Sequence, residues 1–490
     1  MGTSIPELDH TLRTLYGSGL VISPWLAGVD NRDRFDSGVF ERLDLEAREL
    51  AATHWTEAEK IDNFGTLPIP EKFPRIATYE TVASTAVFLA HERTGDLLVN
   101  EGLALEALRR VENFISAHGF GTLLQAYRFI TAYENLNALK YYGSIPEREF
   151  LLGSWHRPWI DYTLHDDLLI GGLLDRWQIV IRDNRRHVEL TEQGHKTYEE
   201  LQEVLERSGH FIRQVRLLQI SQFNLFTDFE NLAEQLLPQS MPLRRFLIDW
   251  SCIEQGMKVL DVGCGSGALT IEAGLADRVG PTGKMIGIDP STGMLNRAKS
   301  KLQLKQMPWV EFMVGKAEEL PFEDGAFDVV IGSAFLHFTN REAALKEMRR
   351  VTRSGGTVVS WHPLIFDFHI PFFHKWFFPI FKFAAKREKQ PKSFLFTAEE
   401  GLAAFETAGL VGIESKHPPF PMLFHDPEKV IKHMINGVGL FQEELGDLPW
   451  KARQDIINEL HDLGHLVCKE YPPEERIIYL PNQMLKGIVP

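Results

Sequence analysis

The stretch Val259-Leu260-Asp261-Val262-Gly263-Cys264-Gly265-Ser266-Gly267 decides the fold of this 490-residue chain. It begins as an apolar run with one acid, which is typical of a buried strand, and it ends in a glycine-rich turn. Because glycine lacks a Cβ, the turn can adopt positive φ and let backbone N–H groups approach a polar ligand. Residues 268–272 then have helical character. The stretch therefore predicts a strand, a glycine loop and a helix that bind a nucleotide-like cofactor, and taken alone it also satisfies the dinucleotide fingerprint.

Further motifs follow the glycine loop in a fixed order. Asp289 ends a second apolar run, at about the distance where a ribose-binding carboxylate is expected. The other motifs lie at residues 287–291, 294–298, 317–322, 326–330 and 347–356. Over about residues 250–490 the chain resembles the class I S-adenosylmethionine-dependent methyltransferases, with a core similar to the ubiquinone and menaquinone biosynthesis enzymes. The resemblance implies an α/β fold with a Rossmann-like seven-stranded sheet, S-adenosyl-L-methionine as cofactor and transferase activity, and it favours these over a nicotinamide dehydrogenase.

The resemblance also implies roles for individual residues. Gly263, Gly265 and Gly267 would line the methionine and ribose parts of the cofactor. Asp261 would face the amino group, or alternatively cap the turn, while Asp289 would hold the ribose hydroxyls. The other residues expected at the cofactor are Pro290, Met294, Lys316, Ala317, Glu318 and Ser333.

Lys316 departs from the family pattern, which usually has an aspartate at this place to accept the adenine amino group. An ammonium group cannot accept a hydrogen bond. Either backbone groups around Ala317 recognise adenine, or the affinity for the cofactor is reduced, or the pocket admits a variant ligand.

Two histidines are candidates for a catalytic base. His337 follows the fourth predicted strand, in the segment that borders the transferring methyl group in this fold, and a neutral imidazole can accept a proton near pH 7. His362 follows the fifth predicted strand and could serve as a second base. The alternative for His337 is a histidine of the pocket wall or of a helix start. Residues expected to contact the acceptor are Phe335, His337, His369, Phe372 and Trp376.

A phenylalanine-rich stretch at residues 364–385 begins a predicted lid at 364–395. It carries charged residues and two prolines, so it is a poor candidate for a membrane span. A lid over an apolar substrate, a plain buried core and a shallow membrane contact remain as alternatives. A helical insertion is predicted at 420–478, where such insertions usually cap the substrate pocket.

The insertion places His461, His465 and Cys468 on one helical face. Such spacing can present metal ligands, but no fourth ligand follows at a recognisable distance. Methyl transfer itself needs no metal, because the sulfonium already supplies the electrophile. We therefore predict no metal site.

The N-terminal half is divided into an irregular or helical segment 1–75, a mainly α-helical region 76–210 and connecting helices 211–250. Two short strands, 178–182 and 187–190, flank a basic turn and precede a capped helix. This pattern resembles the winged-helix domain of small-molecule O-methyltransferases, where such modules serve in dimerisation. A homodimer is compatible with it.

A different function is also compatible with the hairpin. Arg182, Arg185 and Arg186 could contact phosphates, as in a winged-helix DNA-binding regulator whose methyltransferase fold senses the cofactor. The segment 166–175, where a recognition helix is expected, is acidic and leucine-rich rather than basic. A solvated hairpin tip is the alternative interpretation.

Composition narrows the function further. A formal net charge of −15 argues against general nucleic-acid binding. The start of the chain has no apolar signal segment, and its three cysteines form no C-x-x-C pair, which predicts a cytoplasmic protein. We expect a methyltransferase that acts on an oxygen or activated carbon of an apolar acceptor, either aromatic, quinoid, polyketide or isoprenoid, with weak membrane-surface contact through the lid as an option.

Overall fold

The computed structural model describes residues 5–17, 49–50, 52–53, 101–151, 174, 178–211, 223, 229–386, 395–437, 441, 444–445 and 448–490. The chain divides into two compact units, Met1–Leu218 with Glu443–Ile457 and Gln219–Gln442 with Asn458–Pro490. Most of the predicted segment 1–75, and residues 76–100 of the predicted helical region, lie outside the described residues.

The first unit is mainly helical around a small sheet. Its elements are α1 (Ile5–Gly17), α2 (Glu101–His118), α3 (Phe120–Tyr142), β1 (Ser144–Pro146), α4 (Glu147–Leu151), β2 (Val180–Arg182), β3 (His187–Leu190) and α5 (Glu192–Arg207). The three strands are antiparallel in the order β1-β3-β2. Thr191 caps α5 by accepting the Gly194 N–H at 2.9 Å. The predicted hairpin and capped helix are therefore present, whereas all of 166–175 except Leu174 lies outside the described residues, and the winged-helix assignment stays a prediction.

The turn of this hairpin has a local cause. The Asp183 carboxylate accepts the backbone N–H groups of Arg185 at 2.8 Å and of His187 at 2.7 Å. Arg186 adopts a left-handed conformation with φ of 60°. An aspartate that bonds to the backbone ahead of it stabilises such a turn without a glycine.

The second unit carries the large sheet. Its first elements are α6 (Phe229–Leu236), α7 (Ser240–Trp250), β4 (Lys258–Val262), a π-helix (Ala268–Glu272), α8 (Leu275–Val279), β5 (Lys284–Asp289), α9 (Thr292–Lys305), β6 (Val310–Val314), β7 (Phe327–Ser333), a 3₁₀ helix (Leu336–Phe338), α10 (Arg341–Val351) and β8 (Thr352–Pro363). The later elements are α11 (Pro371–Lys386), α12 (Ala398–Thr407), β9 (Val411–Lys416), β10 (Pro421–Leu423), α13 (Pro427–Ile431), a π-helix (Lys432–Gly437), α14 (Trp450–Glu470), a 3₁₀ helix (Pro473–Glu475), β11 (Ile477–Tyr479) and β12 (Asn482–Ile488).

Seven strands form the sheet in the order β6-β5-β4-β7-β8-β12-β9. All neighbours are parallel except β12, which is antiparallel to both β8 and β9. Both faces are covered by apolar layers, so Val259 of β4 lies in one core and its neighbours Leu260 and Val262 lie in the other. The predicted α/β fold with a seven-stranded sheet is confirmed.

The order of the strands fixes where a ligand can bind. From β4 the chain runs outward to β5 and β6, and it then returns to β7 on the other side of β4. Ligands of open α/β sheets bind outside the carboxyl ends of the strands at such a switch point. The glycine loop leaves the carboxyl end of β4 and therefore lies at this point.

Two further features lie beyond β8. Strands β10 and β11 form an antiparallel pair in which Pro421 lies opposite Tyr479 and Leu423 opposite Ile477. The two strands lie close to the two ends of the predicted insertion. The phenylalanine-rich stretch forms α11, a single helix that contains Pro379. None of the helices in the described part of the chain is long and apolar enough to cross a membrane.

Candidate functional site

The glycine loop has one packed side and one open side. Gly263 has φ of 68°, and a Cβ there would lie 2.3 Å from the Cβ of Phe335. Gly265 also has positive φ, at 54°, but a Cβ there would meet nothing nearer than the Met294 Sδ at 4.0 Å. The loop needs glycine at Gly263 because the backbone is tightly packed, whereas the space beside Gly265 can admit a ligand.

Asp289 ties this loop to the end of β5. Its Oδ2 accepts the Gly265 N–H at 2.9 Å, and its Oδ1 accepts the Ser291 N–H at 2.8 Å. Burial raises the pKa of Asp289 to about 6, although both of these hydrogen bonds favour the charged form. A carboxylate has about four lone-pair sites, so each oxygen can still accept a hydroxyl group of a ligand.

Asp261, near the end of β4, has one carboxylate oxygen that accepts a hydrogen bond and one that does not among the described residues. The side chain is fully buried, and its Oδ2 accepts the Thr270 hydroxyl at 2.6 Å. Its Oδ1 has no hydrogen-bond partner in the described part of the chain. Burial raises the pKa of Asp261 to about 7, an effect that the Thr270 hydrogen bond opposes. A buried acceptor without a donor is costly, so this oxygen fits a ligand that brings a donor such as an ammonium group.

Asp261, Ser333 and Trp361 share one face of the sheet at its carboxyl end. Side chains alternate along a strand, and Ser333 lies opposite Trp361 in the pairing of β7 with β8. The residues two positions before them, Val259, Ile331 and Val359, all belong to the core on the α7 side. The Ser333 Oγ is buried and has no hydrogen-bond partner among the described residues. Two partnerless oxygens thus lie on the same face.

Arg244 and Thr270 both interact with Asp261, and the sequence analysis singled out neither of them. The guanidinium of Arg244, on α7, lies 5.7 Å from the centre of the Trp361 ring. Burial lowers the pKa of Arg244, an effect that the charge of Asp261 opposes. Neither residue belongs to the glycine motif. Their nearness to it in the sequence is the feature that could have drawn attention to them.

The residues predicted at the adenine end occupy different environments. Lys316 is exposed, and its carbonyl accepts the Glu319 N–H at 3.3 Å. Ala317 is buried, whereas the Glu318 carboxylate accepts the Asn340 N–H at 2.8 Å. Of the remaining predicted residues, Met294 is buried beside Gly265 and Pro290 is half-buried.

The two candidate bases differ in their surroundings. His337 is buried in the 3₁₀ helix after β7, and burial lowers its pKa to about 3. Its ring lies 4.0 Å, centre to centre, from that of Phe338. His337 is therefore neutral at pH 7.

His362 is fully buried, and burial lowers its pKa to about 4. Its Nδ1 lies 3.2 Å from the Ser360 Oγ, and its Nε2 lies 3.2 Å from the Gln483 Oε1. Because it follows Trp361 in the same strand, it points to the opposite face of the sheet from Asp261. Both ring nitrogens are engaged there, which favours a packing role over proton transfer.

The residues predicted to contact the methyl acceptor lie in different places in the structure. Phe335 packs against the glycine loop at Gly263, and His369 is exposed with its ring 5.8 Å from that of His374. Phe372 and Trp376 lie in an aromatic core, where the Trp376 indole donates to the Leu460 carbonyl at 2.9 Å. Other members of this core are Phe373, Phe377, Phe424 and Phe441. This packing favours the core alternative for Phe372 and Trp376.

The histidine face of α14 is occupied by an ion-pair partner. His461 Nδ1 and His465 Nε2 lie 2.9 Å and 3.4 Å from the same Glu428 oxygen. The described residues contain no group of three histidine, cysteine or carboxylate side chains that could hold a metal ion. The Cys468 Sγ lies 2.9 Å from Arg476 Nη1.

Comparison with known proteins gives consistent matches over this half of the chain. Residues 236–397 match the ubiE/COQ5 methyltransferase family. Demethylmenaquinone methyltransferase of Bacillus cereus (strain ATCC 10987 / NRS 248) is 37% identical over 177 residues, which cover 34% of this chain and 74% of that protein. The demethylmenaquinone methyltransferase of Bacillus anthracis (strain CDC 684 / NRRL 3495) matches with the same identity and coverage.

Solved structures are more distant. The YcgJ protein of Bacillus subtilis is 20% identical with a TM-score of 0.34, covering 51% of this chain and 98% of that chain. Given the identity to the curated relatives and the extent of each that is matched, the chain belongs to the ubiE/COQ5 methyltransferase family and is an S-adenosylmethionine-dependent methyltransferase.

Proposed function

We propose that the enzyme transfers the methyl group to an oxygen or an activated carbon of an apolar aromatic or quinoid small molecule. The observation that carries this proposal is the buried Asp261 carboxylate oxygen, which has no hydrogen-bond partner among the described residues and lies on the strand that leads into the open loop at Gly265. This arrangement fits the amino-acid end of the cofactor. The curated relatives are named for demethylmenaquinone, an apolar quinoid compound, which supports the same class of acceptor here.

In this proposal residues at the carboxyl ends of β4 and β5 would hold the cofactor. Asp261 would accept a hydrogen bond from its ammonium group, and the backbone of the glycine loop would contact its methionine and ribose parts. Asp289 would accept hydrogen bonds from the ribose hydroxyls with the lone pairs that its two backbone contacts leave. Met294 would pack against the adenine, and backbone groups near Ala317 would recognise its edge, since the ammonium group of Lys316 cannot accept a hydrogen bond.

The chemical demand on the protein is modest. The sulfonium of the bound cofactor supplies the electrophilic methyl group, whose bond to sulfur breaks as a bond to the acceptor carbon or oxygen forms. The acceptor loses one proton in the overall reaction. Alignment of the acceptor and exclusion of water provide most of the acceleration.

His337 is proposed to orient the acceptor hydroxyl. A group with a pKa near 3 is a weak proton acceptor at pH 7, but its neutral ring can accept a hydrogen bond. Replacing it (H337Q) is expected to lower kcat about tenfold or more while leaving the affinity for S-adenosylhomocysteine unchanged. An equal loss in both quantities would show that His337 maintains the cofactor site instead.

The proposal is tested by incubating the full chain with methyl-labelled cofactor and a panel of acceptors. The panel contains a reduced demethylmenaquinone analogue, a catechol, a polar metabolite and duplex DNA, and product masses identify the methylated atom. Label is expected in the quinoid or aromatic compounds. Label in the polar metabolite or in DNA alone would contradict the proposed acceptor class.

The DNA-binding alternative is weakened by the charge pairing of the hairpin. Glu147 pairs with both Arg182 and Arg186, and its side chain is 10% exposed. The third arginine, Arg185, is exposed. A gel-shift titration at low salt is expected to show no shift of duplex DNA; a salt-sensitive shift that R185Q abolishes would revive the alternative.

A further inference from the structure

We propose that Arg244 binds the carboxylate of the methionine part of the cofactor. The inference rests on the proposed function, because it adds a residue to the same cofactor site. Arg244 would bind the carboxylate of the amino-acid part, whereas Asp261 is assigned to its ammonium group.

The guanidinium of Arg244 has no polar partner among the described residues. It makes no hydrogen bond and no ion pair with them, and it lies over the ring of Trp361. It is half-buried, whereas the next residue, Arg245, is exposed. Guanidinium carries five N–H donors in a planar fork that suits a carboxylate. An arginine withdrawn from water without such a partner is prepared for an anion.

Arg244 also lies at the sheet face that carries Asp261. Trp361, over which Arg244 lies, is paired with Ser333 on the sheet face that also carries Asp261. The charges of Arg244 and Asp261 act on one another across this face. In an amino acid the ammonium and carboxylate groups are attached to one carbon. A site that offers a carboxylate for the ammonium group needs a nearby cation for the carboxylate.

Three glutamates near Arg244 also act on its charge. Glu272 pairs with Lys301 at 2.9 Å, and Glu230 pairs with Arg297 at 3.9 Å. Glu234, the remaining acid that acts on Arg244, is exposed on α6. Two of the three neighbouring glutamates thus already have a cationic partner, so the Arg244 charge remains available for a ligand.

The test is calorimetric binding to the full chain of three ligands that differ in the amino-acid part. S-adenosylmethionine has both charged groups, decarboxylated S-adenosylmethionine lacks the carboxylate, and 5′-methylthioadenosine lacks the amino acid altogether. Wild type is expected to prefer the complete cofactor over the decarboxylated one by about tenfold or more. R244Q is expected to reduce that preference to about twofold or less, and R245Q, the matched control, to retain it.

Binding of 5′-methylthioadenosine shows whether the adenosine half of the site is intact in each variant. If R244Q loses this binding too, R244M replaces it, because methionine keeps an apolar stem against Trp361 without the charge. Equal wild-type affinities for S-adenosylmethionine and its decarboxylated form would overturn the inference, as would a preference that survives in R244Q or R244M. Failure of wild type to bind any of the three ligands would instead contradict the proposed function.

Discussion

The charge of Asp261 disfavours the folded state, and in the proposed function the same charge binds the cofactor. A folded state that raises the pKa of an acid disfavours its charged form. In the unfolded chain the pKa of Asp261 is near its ordinary value of 3.8, whereas burial in the folded protein raises it to about 7. Between these two values the folded state retains a proton that the unfolded state releases, so stability falls as the pH rises through this window. The same buried charge is what the ammonium group of the cofactor would compensate.

We therefore expect D261N to stabilise the ligand-free protein and to impair binding. The asparagine carbonyl can still accept the Thr270 hydroxyl, and the buried charge is removed. The free energy of unfolding of the second unit should rise by about 1–3 kcal/mol at pH 8 and little at pH 4. Urea unfolding at the two pH values measures this, with the exposed Asp277 (D277N) as control. A destabilised D261N at pH 8 would refute the argument.

At the scale of single residues, the positive φ expected of the glycine loop is present at Gly263, Gly265 and Gly267, because a local motif determines the backbone there. The roles predicted for these glycines and for Asp289 at the cofactor stay predictions. Arg244 and the face of His362 did not follow from sequence. Both depend on the register between strands and on how α7 packs on them, which no local pattern encodes.

At the scale of elements, the hairpin of the first unit depends on one carboxylate. Glu147 begins α4 and joins Arg182 of β2 and Arg186 of the turn, which lowers the pKa of Glu147, chiefly through the Arg182 hydrogen bond. A lowered pKa means that the pair stabilises the fold above the unfolded value near 4.5 and that this contribution is lost as the pH falls further.

We expect E147Q to destabilise this hairpin by about 1–2 kcal/mol at pH 7, because two arginines lose a charged acceptor. Hydrogen exchange of β2 and β3 peptides in increasing urea measures the effect. R185Q, at the exposed residue of the same turn, should change it by less than about 0.5 kcal/mol. Equal exchange in E147Q and wild type would mean that the pair contributes nothing.

Element types were predicted better than element ends. The hairpin strands start and end within two residues of prediction, since turn residues mark them. The fifth strand was predicted to end before His362, but β8 spans Thr352–Pro363 and includes this histidine, because β12 pairs with it along most of its length. The sequence identified α11 as apolar and left a lid, a core and a membrane contact as alternatives. Its side chains Phe373, Trp376 and Phe377 pack in an aromatic core, and apolar residues of a core and of a pocket wall have the same sequence pattern.

At the scale of the whole molecule, the second unit buries histidines whose pKa is lowered and aspartates whose pKa is raised, so the two kinds of group have opposite effects on the pH dependence of stability. Burial lowers the pKa of His337 to about 3 and of His362 and His433 to about 4. Unfolding near pH 5 therefore lets three imidazoles take up protons. Asp261 and Asp289, with pKa values raised to about 7 and 6, release two protons on unfolding.

The net uptake of about one proton predicts that the second unit loses stability gently on acidification, by about 1 kcal/mol per pH unit near pH 5. Hydrogen exchange of β4 and β5 peptides under denaturant, between pH 5 and 6, gives this slope. In D261N one opposing group is absent, so the slope should approach about twice that value. Stability that rises on acidification would contradict the assignment of the neutral histidines.

The enzyme class and cofactor expected from sequence are confirmed by the family match. The division of the chain into two units was harder to predict from the sequence. Glu443–Ile457 belongs to the first unit although the flanking residues belong to the second. Only contacts between distant parts of the chain determine such an arrangement, and these leave no periodic signal in sequence.

The short ribbon of β10 and β11 has a consequence for how the family can diversify. It holds Leu423 opposite Ile477, so the chain that departs after β9 returns to the sheet at a fixed point before β12. Loop-closure entropy changes slowly with length, so the exposed loops between β10 and β11 can lengthen or shorten at small entropic cost, whereas the buried residues of the segment cannot. The ribbon thereby separates changes of loop length from the register of β12 between β8 and β9, which stays unchanged.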